Sequence, residues 1–261
     1  MKHIGLLLLL LTAGQISSQN LGAHFIQKQS LEADVFVGAD KFSNLYYTQN
    51  RTLYKKETHQ IFEFAALNLG EITTVDIVNP LKISLFYRQS NTLVLLDNTL
   101  TEITRINFSN LEEFRNSALG TTANDRRIWI FNTDLQQLEL FDYRLNKVVV
   151  QYPPLDSIPE SYASNFNFCW LQNEGYLRTY NIYGTLVKET ATPITFDKLG
   201  QSQNSLIGVK DAIFYLKSEN SDSFEAIDNL EITPQGFSLV GEILYIYNGQ
   251  NLMTYTIKSS K

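Results

Sequence analysis

Two histidines beyond the first twenty residues, one cysteine and scattered carboxylates are the side chains that catalytic or metal chemistry would draw on in this 261-residue chain. His24 falls in a strand-like segment and His59 in a polar hairpin turn. Neither has a nucleophile or second base beside it, so a general-base role lacks its partners. The pair Glu112-Glu113 lies in a polar connection, where adjacent acids read as a solvated loop. A periodic set is more informative: Glu57, Asp97, Asp142, Asn181 and Asp228 each close a strand just before a hairpin. A ring of carboxylates around a metal is one reading; the other is that Asp and Asn there satisfy backbone donors of tight turns. No G-x-S-x-G elbow, H-E-x-x-H helix, glycine-rich phosphate loop or EF-hand-like Asp run occurs. The expectation is a non-enzyme without catalytic residues, cofactor or metal.

The elements that position these residues repeat. Aromatic strands return at Tyr46-Tyr47, Phe86-Tyr87, Trp129-Phe131, Phe168-Trp170, Phe214-Tyr215 and Tyr245-Tyr247. Each precedes a second apolar strand opening at Leu53, Leu93, Leu138, Leu177, Phe224 or Leu252. The period is roughly forty residues, the size of one four-stranded propeller blade. Apolar and polar residues alternate with period two, and helical periodicity is nearly absent. In the second copy the pattern predicts strands over 73–78, 83–88, 92–97 and 102–108. The other copies span 34–67, 117–152, 162–190 and 205–232.

The sixth copy supplies three strands, over 237–240, 243–247 and 252–258. An orphan strand-like segment, His24 to Leu31, belongs to no copy and is expected to pair as the missing outer strand, hiding an open sheet edge. The fold class is thus all-β, a single β-propeller of six blades with four antiparallel strands each, closed by the N-terminal strand. Stacked β-sandwiches and rings of five or seven blades are the competing arrangements.

The first residues read as an export signal: Lys2 and His3, an apolar run from Ile4 to Leu11 too short to span a bilayer, then small and polar residues to Ser18. The expected organisation is a signal peptide over 1–18 and one propeller domain over 19–261. The only cysteine, Cys169, sits inside the fourth aromatic strand, so no lipid-attachment cysteine follows the signal and no internal disulfide forms. Cys169 reads as a small buried apolar residue. A soluble periplasmic protein that is not a lipoprotein follows. Without Lys2, 20 Lys and Arg side chains face 27 Asp and Glu, a formal charge of about −7. An acidic surface without a basic run argues against nucleic acid or direct membrane insertion.

Binding surfaces form on long loops carried by a rigid scaffold. The longest connections are 109–116, 153–161 and 193–204, and the candidate contacts are Phe114 and Arg115, Tyr152, Pro153 and Pro154, Tyr162 and Phe196. Arg88, Asp134, Asn173 and Glu174 are expected on the same side, in second-to-third-strand turns. These aromatics equally suit a role pinning loops to the blades. The turn Asn79-Pro80-Leu81-Lys82 is the segment least explained by blade packing.

One stretch is more specific than the repeat. Val75-Asp76-Ile77-Val78-Asn79-Pro80-Leu81-Lys82-Ile83-Ser84-Leu85-Phe86-Tyr87, with Asn91 to Leu100 after it, resembles a family of exported β-propeller proteins of Bacteroidota. Arg127 to Phe131 and Leu138 to Asp142 look like that family's next blade, and the similarity is clear over 72–150. The family that it resembles includes the periplasmic plug of the type 9 secretion translocon. The resemblance implies a non-catalytic periplasmic propeller, monomeric by itself, whose partner is an outer-membrane β-barrel translocon or another envelope protein. Asn79, Pro80 and Lys82 belong to the matching stretch and join the candidate partner-binding residues. The alternative is an exported propeller that binds or cleaves a glycan or peptide in its central funnel. For that role the innermost strands offer Asp76 and Asp40 among mostly Val, Ile, Thr, Ser, Ala and Gly.

Overall fold

The computed structural model describes residues 21–230 and 232–259. The expected signal peptide over 1–18 lies outside them. The described residues form 24 strands. After β1 (Leu21–Ser30) they run in antiparallel meanders. Unit one holds β2 (Val35–Ala39), β3 (Leu45–Gln49), β4 (Thr52–Lys56) and β5 (Ile61–Ala65). Unit two holds β6 (Thr74–Asp76), β7 (Ile83–Tyr87), β8 (Thr92–Leu96) and β9 (Glu102–Asn107). Unit three holds β10 (Ser117–Thr122), β11 (Arg127–Asn132), β12 (Gln137–Asp142) and β13 (Lys147–Gln151). Unit four holds β14 (Ser161–Ser164), β15 (Phe168–Asn173), β16 (Tyr176–Asn181) and β17 (Leu186–Ala191). Unit five holds β18 (Lys198–Ser202), β19 (Ser205–Lys210), β20 (Ile213–Lys217) and β21 (Glu225–Asp228), and the last meander is β22 (Gly236–Val240), β23 (Ile243–Tyr247) and β24 (Asn251–Ser259).

Burial along each unit explains its sequence. In unit two the second and third strands are covered on both faces by neighbouring units, so β7 and β8 are buried at every position and read as near-continuous apolar runs. Fourth strands have one open face, and β5 and β13 alternate exposed with half-buried residues. The core consists of six clusters, each between neighbouring units. Phe86, Leu93 and Phe108 meet Ile128, Ile130 and Phe141 between units two and three. Phe36, Leu45 and Tyr47 meet Tyr245, Tyr247 and Leu252 between the first unit and the last.

Polar bonds follow the same path. Lys55 Nζ donates to Asn98 O at 2.8 Å, Thr122 N to Asp76 Oδ2 at 2.7 Å, and Trp129 Nε1 to Asn165 O at 3.1 Å. Asn165 Nδ2 donates to Gln203 O at 2.6 Å, Gly241 N to Ser202 Oγ at 2.9 Å, and Ala39 N to Ser238 Oγ at 3.3 Å. Every neighbouring pair of units, the last and first included, is therefore joined by apolar contact and by a hydrogen bond.

The strand β1 pairs antiparallel with β24, from Leu21↔Ser259 to Ser30↔Asn251, with a bulge between Phe25 and Gln27. It is the outer strand of the last meander, three residues earlier at its start than the sequence predicts. Leu21 and Gly22 also pair, in parallel, with Ile227 and Asp228 of β21. Unit five, β1 and the last meander, which is unit six, thereby merge into one eight-stranded sheet beside four four-stranded ones.

Unit five departs from the expected pattern. The expected loop 193–204 contains a strand, β18, so the unit begins at Lys198 and not at Ser205. Phe214 and Tyr215 then lie on a third strand, and Asp228 ends a fourth. The cause is spatial: a Cβ on Gly200 would lie 3.0 Å from the Phe237 ring. An inner strand so closely flanked needs few apolar side chains of its own, and its signal is weak.

Hairpin chemistry sets the registers. Glu174-Gly175 and Asp211-Ala212 both carry positive φ at their two central residues, as the two-residue type I′ turn demands. At the ends of third strands, Asp97 Oδ1 accepts from Thr99 N and Thr101 N, Asp142 Oδ1 from Arg144 N and Leu145 N, and Asn181 Oδ1 from Tyr183 N and Thr185 N, all within 2.8–3.1 Å. These residues are turn caps. Among the described residues no group of three or more His, Cys, Asp or Glu is placed to hold a metal.

Candidate functional site

Two regions bring polar and apolar side chains together: a cavity between the first strands, and the loops at one end of the sheets. The cavity holds about 430 Å³ and is lined from all six units, by Val35 and Val37, Thr74 and Asp76, Thr121, Tyr162 and Ser164, Lys198 and Gln201, Phe237 and Ser238. First strands alternate sides as any strand does, so every second residue faces a neighbouring unit while strand edges and short polar side chains line the opening.

Asp76 is buried and accepts from Val78 N at 2.8 Å and Thr122 N at 2.7 Å. Burial pushes its pKa up from 3.8 to about 6, and the two amide donors only partly offset that. Its carboxylate ties unit two to unit three. Tyr162 OH and Thr74 Oγ1 are 3.0 Å apart, joining units four and two across the opening, and Ser164 Oγ donates to Thr121 Oγ1 at 2.8 Å. Lys198 lies at the mouth with its ammonium 5.6 Å from the centre of the Phe237 ring, and desolvation lowers its pKa. Gln201 Oε1 is buried without a hydrogen-bond partner. Lys198 and Gln201 sit on the strand that the sequence pattern missed, which is why the channel reads as poorer in polar groups from sequence than it is.

In each meander the first-to-second and third-to-fourth turns share one end, and the second-to-third turns share the other with the connections between units. The candidate residues divide between these ends. Asn79, Pro80 and Lys82 lie at the first end, away from the others. Asn79 Oδ1 accepts from Leu81 N at 3.1 Å, and Lys82 Nζ donates to Asp125 O while lying 5.3 Å from the centre of the Tyr143 ring. Burial lowers the Lys82 pKa, and Asp125 opposes the shift. This turn therefore fastens unit two to unit three, and its exposed member is Leu81.

At the other end, Phe114, Pro153, Pro154, Arg88, Asp134 and Glu174 are exposed. Arg88 donates to Ala118 O at 3.3 Å, and Asp134 Oδ1 accepts from Asn116 Nδ2 at 3.0 Å. Five candidates are corrected by burial. Arg115 is 8% exposed and bonds Glu139, itself fully buried, at 2.9 Å and Glu113 at 2.7 Å. Tyr152 is a core residue, edge-on to Tyr180 and donating to Asn181 O at 2.5 Å. Asn173 is buried and donates to Ser157 O at 3.1 Å. Tyr162 faces the cavity, and Phe196 packs between Tyr215 and Phe224. In each case a loop is anchored by a side chain too useful inside to stand outside. The exposed apolar residues that reasoning from sequence missed at this end include Leu67, Leu135, Ile158 and Tyr176. A leucine in the Thr-Asp-Leu-Gln turn was the available signal, since turns otherwise favour polar residues.

No family model matches the chain, and no curated protein is significantly similar to it. Solved structures are similar in fold. A chain of the mitotic checkpoint complex superposes with a TM-score of 0.62 at 11% identity, covering 98% of this chain and 98% of that one. The Neurospora crassa Pan2 WD40 domain gives 0.56 at 9% identity, covering 93% and 86%. A catalytically inactive virginiamycin B lyase from Staphylococcus aureus, with quinupristin, gives 0.60 at 11% identity, covering 88% and 99%. The chain is thus all-β with the architecture of a β-propeller.

Proposed function

We propose that this chain is a non-catalytic docking propeller of six blades, its ring closed where β1 completes the last one. The clusters and hydrogen bonds joining every neighbouring pair of units support the closed ring. The observation that carries docking is the placement of large exposed apolar side chains at sheet ends: Leu67, Phe114, Leu135 and Ile158 at one, Phe42, Leu81 and Tyr183 at the other. Such groups on a rigid scaffold suit contact with another protein better than solvent. One structure of like fold is a chain of a protein assembly, the mitotic checkpoint complex.

The resemblance over 72–150 supports a more specific reading: a periplasmic protein of the envelope, exported by residues 1–18, that seals the periplasmic end of an outer-membrane protein-secretion channel of type 9. Affinity isolation of the natively expressed protein from detergent-solubilised envelopes tests it. A large outer-membrane β-barrel should copurify in substoichiometric amount, and recovery of the protein alone overturns this reading. The unpartnered Gln201 Oε1 in the cavity favours a second reading, a glycan or peptide bound there. A ligand found by mass spectrometry on the purified protein, and lost in Gln201→Leu, would support it.

A further inference from the structure

Resting on the docking reading, we infer that the sheet end bearing loops 109–116 and 153–160 is the docking face, and that it takes a protein surface whose lysines and arginines surround apolar sockets. Four apolar anchors stand there: Phe114 is 54% exposed, Leu135 50%, Ile158 46% and Tyr176 41%. Hydrogen bonds make their loops one surface. Asn116 Nδ2 donates to Asp134 Oδ1 at 3.0 Å, Leu155 N to Gln136 O at 2.7 Å, and Asn173 Nδ2 to Ser157 O at 3.1 Å. The first bond joins the Phe114 loop to the Leu135 turn, the second joins that turn to the Ile158 loop, and the third joins that loop to the strand end preceding Tyr176.

Charge selects the partner. Glu112, Asp134, Asp156, Glu160 and Glu174 are exposed in these same loops, and none has an ion-pair partner among the described residues. Of the cations at this end, Arg115 and Arg178 are occupied by Glu139 and Glu189, and Arg88, exposed without an ion pair among the described residues, is outnumbered by the five free carboxylates. At the opposite end of units two and three the charges are mixed: Arg126 is paired with Asp142, and Lys82 is held by Asp125 O and the Tyr143 ring. Unpaired carboxylates ringing apolar anchors repel anionic surfaces and steer a cationic one into register.

Photo-crosslinking in the native envelope tests this. p-Benzoylphenylalanine is placed singly at positions 114, 135 and 158, and at 81 and 183 on the opposite end, in the full chain expressed from its own locus. The expected result is crosslinks from 114, 135 and 158 to one protein, through peptides rich in Lys and Arg. The reversal E112K/D134K/D156K/E174K should cut their yield about tenfold. Should that variant fold poorly, D134N/E174Q with an unchanged melting temperature should still cut it severalfold. Crosslinks confined to 81 and 183 overturn the choice of face and leave docking standing. Crosslinks to a second copy of this chain, or to acidic peptides, overturn the partner chemistry, and no crosslink anywhere overturns the docking reading too.

Discussion

Arg115 and Glu139 give the sharpest test of how the loop end is held. Glu139, on β12, is fully buried, and its other partners are neutral amides: Gln137 Nε2 at 2.9 Å and Gln151 Nε2 at 3.2 Å. Arg115 has further acceptors in the Glu113 carboxylate and the Glu113 and Phe114 carbonyls. The two single removals are therefore unequal. Arg115→Met strands a buried carboxylate, and breaking a buried pair that way costs roughly 3–5 kcal/mol. For a domain of this size that lowers the melting temperature by about 6–20 °C. Glu139→Gln leaves Arg115 its exposed carboxylate and an amide oxygen to meet, so about 1–2 kcal/mol is expected. In the double variant Arg115→Met/Glu139→Gln no charge is buried, and stability should recover by about 2 kcal/mol over Arg115→Met alone. Urea unfolding followed by far-ultraviolet circular dichroism measures all four proteins. Equal losses in the two single variants, or a double variant no better than Arg115→Met, would refute the argument.

The remaining predictions concern Asp76, Gly208 and β1. Because the folded pKa of Asp76 is raised from 3.8 to about 6, its burial disfavours folding above pH 6 and not below pH 4. The stability of Asp76→Asn relative to wild type should thus rise by up to ~3 kcal/mol between pH 4 and pH 7, whatever constant offset the altered Thr122 contact adds at every pH; a flat difference sinks the assignment. A Cβ on Gly208 would lie 2.4 Å from Phe196 Cδ1, so Gly208→Ala should lower stability by about 1–3 kcal/mol, and an unchanged unfolding midpoint contradicts it. Deleting residues 19–31 removes the outer partner of β24 and should lower the midpoint sharply while exposing a sheet edge that promotes association, which light scattering detects.

Much of the architecture was legible because its signals are local. In unit two the expected strands 83–88 and 92–97 each differ from the observed ones by a single end residue, because Phe86-Tyr87 and Leu93 to Leu96 are buried on both faces and cannot be polar. The turn caps Asp97, Asp142 and Asn181 were legible for the same reason, since an Asx side chain bonds backbone two to four residues away. The candidate site was harder. Phe114 and Asp134 are exposed as expected, whereas Arg115 and Tyr152, one and eighteen residues from them, are interior. Adjacent loop residues share composition, and only the position of Glu139 or Tyr180 decides which of them turns inward.

By itself the amino-acid sequence determined the strand period, the meander within each unit, the turn chemistry and the N-terminal segment as partner of the last meander. All of these depend on alternation and on residues close in the chain. Tertiary structure alone decided that Lys198–Ser202 is a strand, that Lys198 and Gln201 line the cavity, and that Arg115 and Tyr152 turn inward. Those outcomes depend on which unit lies alongside which. A strand packed this closely against a neighbour's phenylalanine ring carries little periodic signal of its own, so its place is set by contacts between residues far apart in sequence.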